Sequence, residues 1–187
     1  MTRSARTCAL LALPAILAGC AGGPAASPAA APAAAPHAGT IADAAGPPAS
    51  ALMVCNDDIR SKVQQALGLP SEPHTSATWA DAVYTCTYDL PMGSMTLAVR
   101  VLPGGAQAAA RLAADQKTAA GAEPLAGLGE RAWGTPVGNA EVLKDNQILV
   151  VDTTGLPAVF GASQQKRTDF AYEVASDVLG CWTGGDE

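Results

Sequence analysis

The sequence predicts an α+β domain with a mainly antiparallel sheet, in the order α-β-β-α-β-β-β-α, with the helices packed on the sheet. Alternating apolar and polar residues, which indicate strands, are grouped into a pair at about 78–102 and a trio at about 130–153. Helical spacing of apolar residues occurs before, between and after these groups. A parallel βαβ fold would instead place a helix after each strand.

The first element is a predicted helix that follows Cys55. Asn56 or Asp57 can cap its free amides, and Gly68 and Pro70 end it. Its apolar face consists of Ile59, Val63, Ala66 and Leu67.

The central part of the domain is expected to be a hairpin. Residues 71–77 are interpreted as a loop that carries His74, residues 78–90 as one strand and residues 94–102 as the next, with a turn at Pro91-Met92-Gly93. Alternation assigns to the buried face Ala82, Tyr84, Cys86, Tyr88, Leu90, Met95, Leu97, Val99 and Val101.

The rest of the domain is predicted as a helix, a meander and a closing helix. Residues 106–120 are rich in alanine and carry a thin apolar stripe. Three short strands follow at 130–134, 139–144 and 147–153. The last helix is expected at 164–179, with Phe170, Ala171, Val174, Ala175 and Val178 inward and Gly180 as its cap.

The N-terminus is typical of a bacterial secretory signal. Arg3 and Arg6 precede an apolar run at 8–18, about half the length that a membrane span requires. Leu17-Ala18-Gly19-Cys20 resembles the lipobox of bacterial lipoproteins, which implies removal of residues 1–19 and lipidation of Cys20. At least two acyl chains, palmitate among them, would hold the protein on the extracytoplasmic face of the cell membrane. The alternative is an ordinary secreted protein in which Cys20 has no role.

Residues 20–51 are predicted to be a flexible tether, and residues 52–187 a single globular domain. The tether is almost wholly alanine, proline and glycine, with a proline at every fourth position from Pro24 to Pro36. Such a segment reaches roughly 90 Å when extended and about 30 Å as a coil. We expect it to hold the domain clear of the membrane.

The charge excludes several classes of partner. The chain has 11 Lys+Arg and 17 Asp+Glu, a net charge of −6, and loss of Arg3 and Arg6 with the signal would make it −8. A nucleic-acid-binding domain needs a cluster of basic residues, which this composition does not supply. The same acidity disfavours adsorption to anionic headgroups, so the lipid would be the membrane attachment.

Three cysteines remain after export, in a compartment where disulfides persist. The predicted helix runs outward by about 18 Å and the following strand returns, which brings Cys86 level with Cys55. We therefore favour the pair Cys55–Cys86, with Cys55–Cys181 as the alternative. Either closure would stabilise the fold by roughly 3–5 kcal/mol.

No motif for catalysis, a metal or a cofactor is present, and we assign none of these sites. The sequence has no nucleophile elbow, phosphate-binding loop, C-x-x-C or H-E-x-x-H. Folding could still bring two carboxylates together, for example Asp81 with Glu130 or Asp152. Three tryptophans could line a ligand groove or simply pack in the core: Trp79, Trp133 and Trp182.

Three segments carry a family resemblance: Cys55-Asn56-Asp57-Asp58, Cys86-Thr87-Tyr88 and Gly127-Leu128-Gly129-Glu130-Arg131-Ala132-Trp133, followed by a closing helix. Together they resemble small actinobacterial cell-envelope lipoproteins built on one domain of unknown function, similar to receptor-kinase extracellular sensor domains. The resemblance implies a non-catalytic domain and transfers no functional residue. We expect an envelope sensor or accessory protein that binds a protein partner or a small molecule. The alternatives are an envelope hydrolase of unrecognised type and a lipid carrier, which would need a large apolar cavity.

Overall fold

The computed structural model describes residues 46–161 and 163–183. The expected signal segment, Cys20 and the tether as far as residue 45 lie outside the described residues. Helix α1 (Ala49–Leu52) opens the described fold and continues into a 3₁₀ turn, Met53–Cys55. Ala51 is completely buried in the main core. The folded chain therefore includes the last three residues that the sequence assigned to the tether.

The described residues form a mixed helix and sheet structure around one antiparallel sheet of seven strands. The three longer helices are α2 (Asp57–Leu67), α3 (Gly105–Thr118) and α4 (Arg167–Thr183). The strands of the sheet are β1 (His74–Ala80), β2 (Val83–Leu90), β3 (Gly93–Val101), β4 (Glu123–Pro124), β5 (Arg131–Gly134), β6 (Asn139–Lys144) and β7 (Gln147–Asp152). Their order across the sheet is β1-β2-β3-β7-β6-β5-β4, and every neighbouring pair is antiparallel. A separate two-stranded ribbon consists of β8 (Val159–Phe160) and β9 (Gln165–Lys166). The α+β class with a mainly antiparallel sheet is confirmed.

The element order differs from the expected one. Helix α1, strand β4 and the β8–β9 ribbon were not predicted, and the first hairpin also differs. The expected single strand at 78–90 is the end of β1, a two-residue turn and β2, and His74 belongs to β1 rather than to a loop. Asp81 and Ala82 make the turn with φ of 51° and 56°. Two positive φ values are typical of the tight turns whose twist matches that of paired strands. Apolar and polar residues continue to alternate through this turn, so the sequence period did not reveal it.

The last helix also differs from the prediction. It runs from Arg167 to Thr183, so Gly180 lies inside it and is not its cap. The indole Nε1 of Trp182 donates a hydrogen bond of 2.8 Å to the carbonyl oxygen of Ser50. Cys181 and Trp182 also pack against the main core. These tertiary contacts hold the last turn in place despite the low helix propensity of glycine.

Helices cover both faces of the sheet. Helices α2 and α4 pack on one face around the main core, which includes Cys86, Leu97 and Phe170. Helix α3 packs on the other face, over a smaller cluster formed by Ala108, Leu112, Trp133, Leu143 and Ile148. All five inward residues predicted for the last helix are buried. Because helices pack on both faces, the parts of the sheet that they leave uncovered are the parts accessible to solvent.

The predicted start and stop of α2 are confirmed. The Asn56 side chain accepts a hydrogen bond of 3.0 Å from the amide of Ile59, and Gly68 ends the helix with φ of 62°. The hydroxyl of Tyr88 on β2 donates a buried hydrogen bond of 2.6 Å to the carbonyl oxygen of Val54. Tyr88 therefore fixes the segment before α2 to the sheet.

Candidate functional site

The cysteines form the favoured pair. Cys55 and Cys86 are joined by a disulfide with a Cα–Cα distance of 5.5 Å, which confirms that prediction. The alternative pair Cys55–Cys181 does not form, and Cys181 is a free, half-buried thiol on α4. Cys20, the predicted lipidation site, lies outside the described residues.

One polar surface on the sheet is a group of hydroxyls that we call the threonine face: Ser76, Thr78, Thr85, Thr87 and Thr96. The register aligns Ser76, Thr87 and Thr96 in one row across three strands, and Thr78 with Thr85 in the next row. Ser76 and Thr78 are exposed, and the other three are half-buried. Within the described residues these five hydroxyls have no intramolecular hydrogen-bond partner.

Strand alternation places the threonine face opposite the main core. Cys86 and Leu97 are completely buried on the core side, so Thr85, Thr87 and Thr96 must point to the other side. Neighbouring strands lie about 4.8 Å apart, and residues i and i+2 about 6.6 Å apart. The hydroxyls therefore form a regular array that can both donate and accept hydrogen bonds.

A charged cluster lies where α3 meets this side of the sheet, and it consists of Arg100, Arg111, Asp115 and Glu141. Arg100 on β3 donates from Nη1 to Oδ2 of Asp115 at 3.0 Å, and Arg111 donates from Nε to the same oxygen at 2.8 Å. The Asp115 side chain is 21% exposed. A carboxylate that accepts two guanidinium donors holds its position firmly. Asp115 thereby links α3 to β3.

Glu141 on β6 is the unusual member of the charged cluster. Burial, together with the nearby charge of Asp115, raises the pKa of Glu141 to about 7, against the opposing effect of Arg100 and Arg111. Its Oε2 is buried without a hydrogen-bond partner, as is the Nε1 of Trp133, the residue opposite it on β5. A carboxyl group in this setting exchanges its proton near neutral pH. Alternation places Glu141 on the side of the sheet where α3 packs, and Asp115 of α3 lies close to it.

The glycine-rich segment of the family resemblance borders a shallow cavity of about 580 Å³. Gly129 has φ of 51°, and a Cβ there would collide with the carbonyl oxygen of Leu143. Glu130 accepts a hydrogen bond of 2.6 Å from the amide of Asp145 in the β6–β7 turn. The segment therefore holds the hairpin close to the loop, and Lys144, Asp145 and Ser176 line the cavity beside it.

The other acids considered as a catalytic pair have local structural roles. Asp81 is exposed in the β1–β2 turn, and Glu130 holds the β6–β7 turn. Asp152 accepts hydrogen bonds of 2.8 Å and 2.6 Å from the amide and hydroxyl of Thr154.

His74 and the tryptophans are also spread over the fold. Nδ1 of His74 lies 3.2 Å from Oδ2 of Asp89, and both side chains are mostly exposed. The register places Trp79 on the sheet face opposite to that of Trp133, so the three tryptophans do not line one groove. Within residues 46–161 and 163–183, no group of three or more His, Cys, Asp or Glu is arranged to hold a metal ion.

Comparisons with protein-family models, with curated proteins and with solved structures find no match for this chain. The resemblance to actinobacterial envelope lipoproteins therefore stays a prediction. None of the helices in the described part of the chain combines the length and the apolar character that a membrane crossing needs.

Proposed function

We propose that this protein is a lipid-anchored lipoprotein of the extracytoplasmic membrane face that binds a partner without catalysing a reaction on it. The observation that carries the proposal is the Cys55–Cys86 disulfide in the core. Disulfides persist in exported proteins and are rare in the reducing cytosol. The predicted lipidation of Cys20 supplies the anchor, and the predicted tether gives the domain reach from the membrane.

The threonine face supports binding as the activity. Its five side chains carry no formal charge, and their hydroxyls have no hydrogen-bond partner within the described residues. A partner with a polar, hydrogen-bonding surface in the cell envelope would satisfy those hydroxyls at little desolvation cost, because each lost water bond is replaced. A sheet face of this kind suits an extended polar partner better than an enclosed small molecule.

The anchor is tested by isolating the native protein from the membrane fraction and measuring its mass. We expect a mature chain that begins at Cys20 and carries acyl chains, and we expect Cys20→Ser to release the domain from membranes. Cys181→Ser is the matched control, since it removes a cysteine and keeps the anchor. Equal membrane association of wild type and Cys20→Ser would refute the anchor.

Binding is tested with two arginine substitutions on the same strand. Thr78→Arg places a large charge on the threonine face, whereas Ala77→Arg places it at the next position, which is exposed on the opposite face. Envelope components cross-linked to the wild-type protein in intact cells should be lost in Thr78→Arg and kept in Ala77→Arg. Retention of the same cross-links in Thr78→Arg would refute the assignment of this face.

A further inference from the structure

Helix α3 has a small apolar contact with the sheet. Its buried residues are Ala108 and Leu112, which pack on Trp133, Leu143 and Ile148. Its N-cap, Gly104, provides no side-chain hydrogen bond, and its first turn has no acidic residue to favour the positive end of the dipole. A helix with little apolar burial and a weak N-terminus belongs to the part of a fold that opens most readily.

The charged cluster provides much of the remaining attachment. Asp115 accepts from Arg100 on the sheet and from Arg111 on its own helix through one oxygen, Oδ2. Of these two bonds, the one with Arg100 joins α3 to another element, β3. Docking of α3 therefore depends on the net charge of the side chains around the Arg100–Asp115 bond.

Glu141 on β6 lies close to Asp115, and its ionisation changes the net charge around the Arg100–Asp115 bond. Its Oε2 is buried and receives no hydrogen bond, so an ionised Glu141 would be a poorly solvated anion close to Asp115. Release of α3 would expose the carboxylate to water and separate it from Asp115. The elements around Glu141 carry these charged residues on the side of the sheet where Glu141 lies: Arg100 on β3, Arg131 on β5 and Asp152 on β7, with Arg111 and Asp115 on α3.

We propose that α3 is a proton-controlled clasp, which stays docked on the sheet while Glu141 is protonated and opens locally when Glu141 is ionised. Opening would uncover Trp133, Leu143 and Ile148. The register places Trp133 and Glu141 in the same cross-strand row as Thr85 and Thr78. The open state would therefore extend the threonine face by an apolar patch. The inference rests on the fold and does not require that the threonine face binds a partner.

The direction and size of the effect follow from proton linkage. The pKa of Glu141 is about 7 with α3 docked, against an ordinary value of 4.5 when the group is hydrated. The docked state therefore binds the proton more tightly, and opening becomes easier as the pH rises from about 4.5 to 7. Partial exposure of Glu141 reduces the full effect, and we expect the opening constant to increase on the order of a hundredfold.

Hydrogen exchange of the full chain, corrected for the intrinsic pH dependence of exchange, tests the clasp. Between pH 5 and pH 8, amides of α3 should lose protection on the order of a hundredfold, whereas those of β2 and β3 should not. Glu141→Gln should abolish this difference. Glu123→Gln is the matched control, because Glu123 is an exposed carboxylate in β4, and it should behave as the wild type.

Two results would overturn the clasp. In one, α3 and β2 keep the same relative protection at both pH values in the wild-type protein. In the other, Glu141→Gln retains the full pH response. If Glu141→Gln does not fold, the titration of the Glu141 carboxyl carbon by NMR decides instead. Its midpoint should coincide with that of α3 opening, and a midpoint near 4.5 would refute the proposal.

Discussion

The Cys55–Cys86 disulfide should provide a large part of the stability of this domain, and its removal is the strongest test of the fold. The two cysteines are separated by 31 residues. In the chain-entropy description, closure of a loop of this length stabilises the folded state by about 4 kcal/mol. We therefore expect the double substitution Cys55→Ala, Cys86→Ala to lower the free energy of unfolding by about 4 kcal/mol. Cys86 is completely buried, and loss of its sulfur adds to that effect.

The assay is equilibrium unfolding in urea, followed by circular dichroism under reducing conditions for the double variant. The midpoint should fall strongly, and the unfolding slope should rise because the unlinked chain exposes more surface. Reduction of the wild-type disulfide should reproduce most of the loss. Cys181→Ala is the matched control, since it removes a half-buried cysteine and leaves the disulfide intact.

Two outcomes would refute this reasoning. A double variant as stable as the wild type would mean that the disulfide does not restrict the conformations of the unfolded chain. A comparable loss in Cys181→Ala would mean that Cys181 is one of the paired cysteines, because this variant leaves Cys55 and Cys86 in place. Disulfide mapping of the native protein distinguishes these results directly.

Three further substitutions test single interactions by urea unfolding. Glu141→Gln should raise the free energy of unfolding at pH 8 by about 1–3 kcal/mol and leave it nearly unchanged at pH 4, because the folded pKa of about 7 makes the wild type lose stability as the pH rises from about 4.5 to 7. A wild-type stability that stays flat over that range would contradict this. Tyr88→Phe should cost about 1–3 kcal/mol, since it leaves the buried carbonyl of Val54 without its donor. Asn56→Ala should cost about 0.5–2 kcal/mol through loss of the cap on the amide of Ile59, and no change would mean that water replaces the cap.

The sequence correctly predicted the elements whose local sequence signals agree with the burial that the structure shows. In α2, the cap at Asn56, the apolar face and the stop at Gly68 all lie within thirteen residues and indicate the same helix. In β3, alternation predicted Met95, Leu97 and Val99 as buried, and they are. The Cys55–Cys86 pair was predicted correctly, but the single returning strand assumed for it is in fact β1, a turn and β2, so the argument from element lengths was wrong.

Two features that the sequence did not reveal are the β1–β2 turn and the end of α4. The β1–β2 turn at Asp81-Ala82 lacks the glycine or asparagine that usually marks two positive φ values. Helix α4 continues past Gly180 because Trp182 reaches Ser50, which is 132 residues away. Neither outcome follows from propensity or period, and for α4 it is the contact of Trp182 with Ser50 that decides.

The two candidate sites show why a site on a sheet face is hard to predict from one sequence. Strand alternation places Thr85, Thr87 and Glu141 on the side opposite the main core, but it does not indicate which of them a helix approaches. Thr85, Thr87 and Glu141 are all half-buried, but α3 packs on β6, so Glu141 lies close to Asp115 and its Oε2 is buried. The alanine-rich composition of α3 predicted close packing but not on which face, so burial of Glu141 required the tertiary structure. The position of α3 also connects the threonine face with the charged cluster. If α3 opens, a partner can reach a larger area of that sheet face.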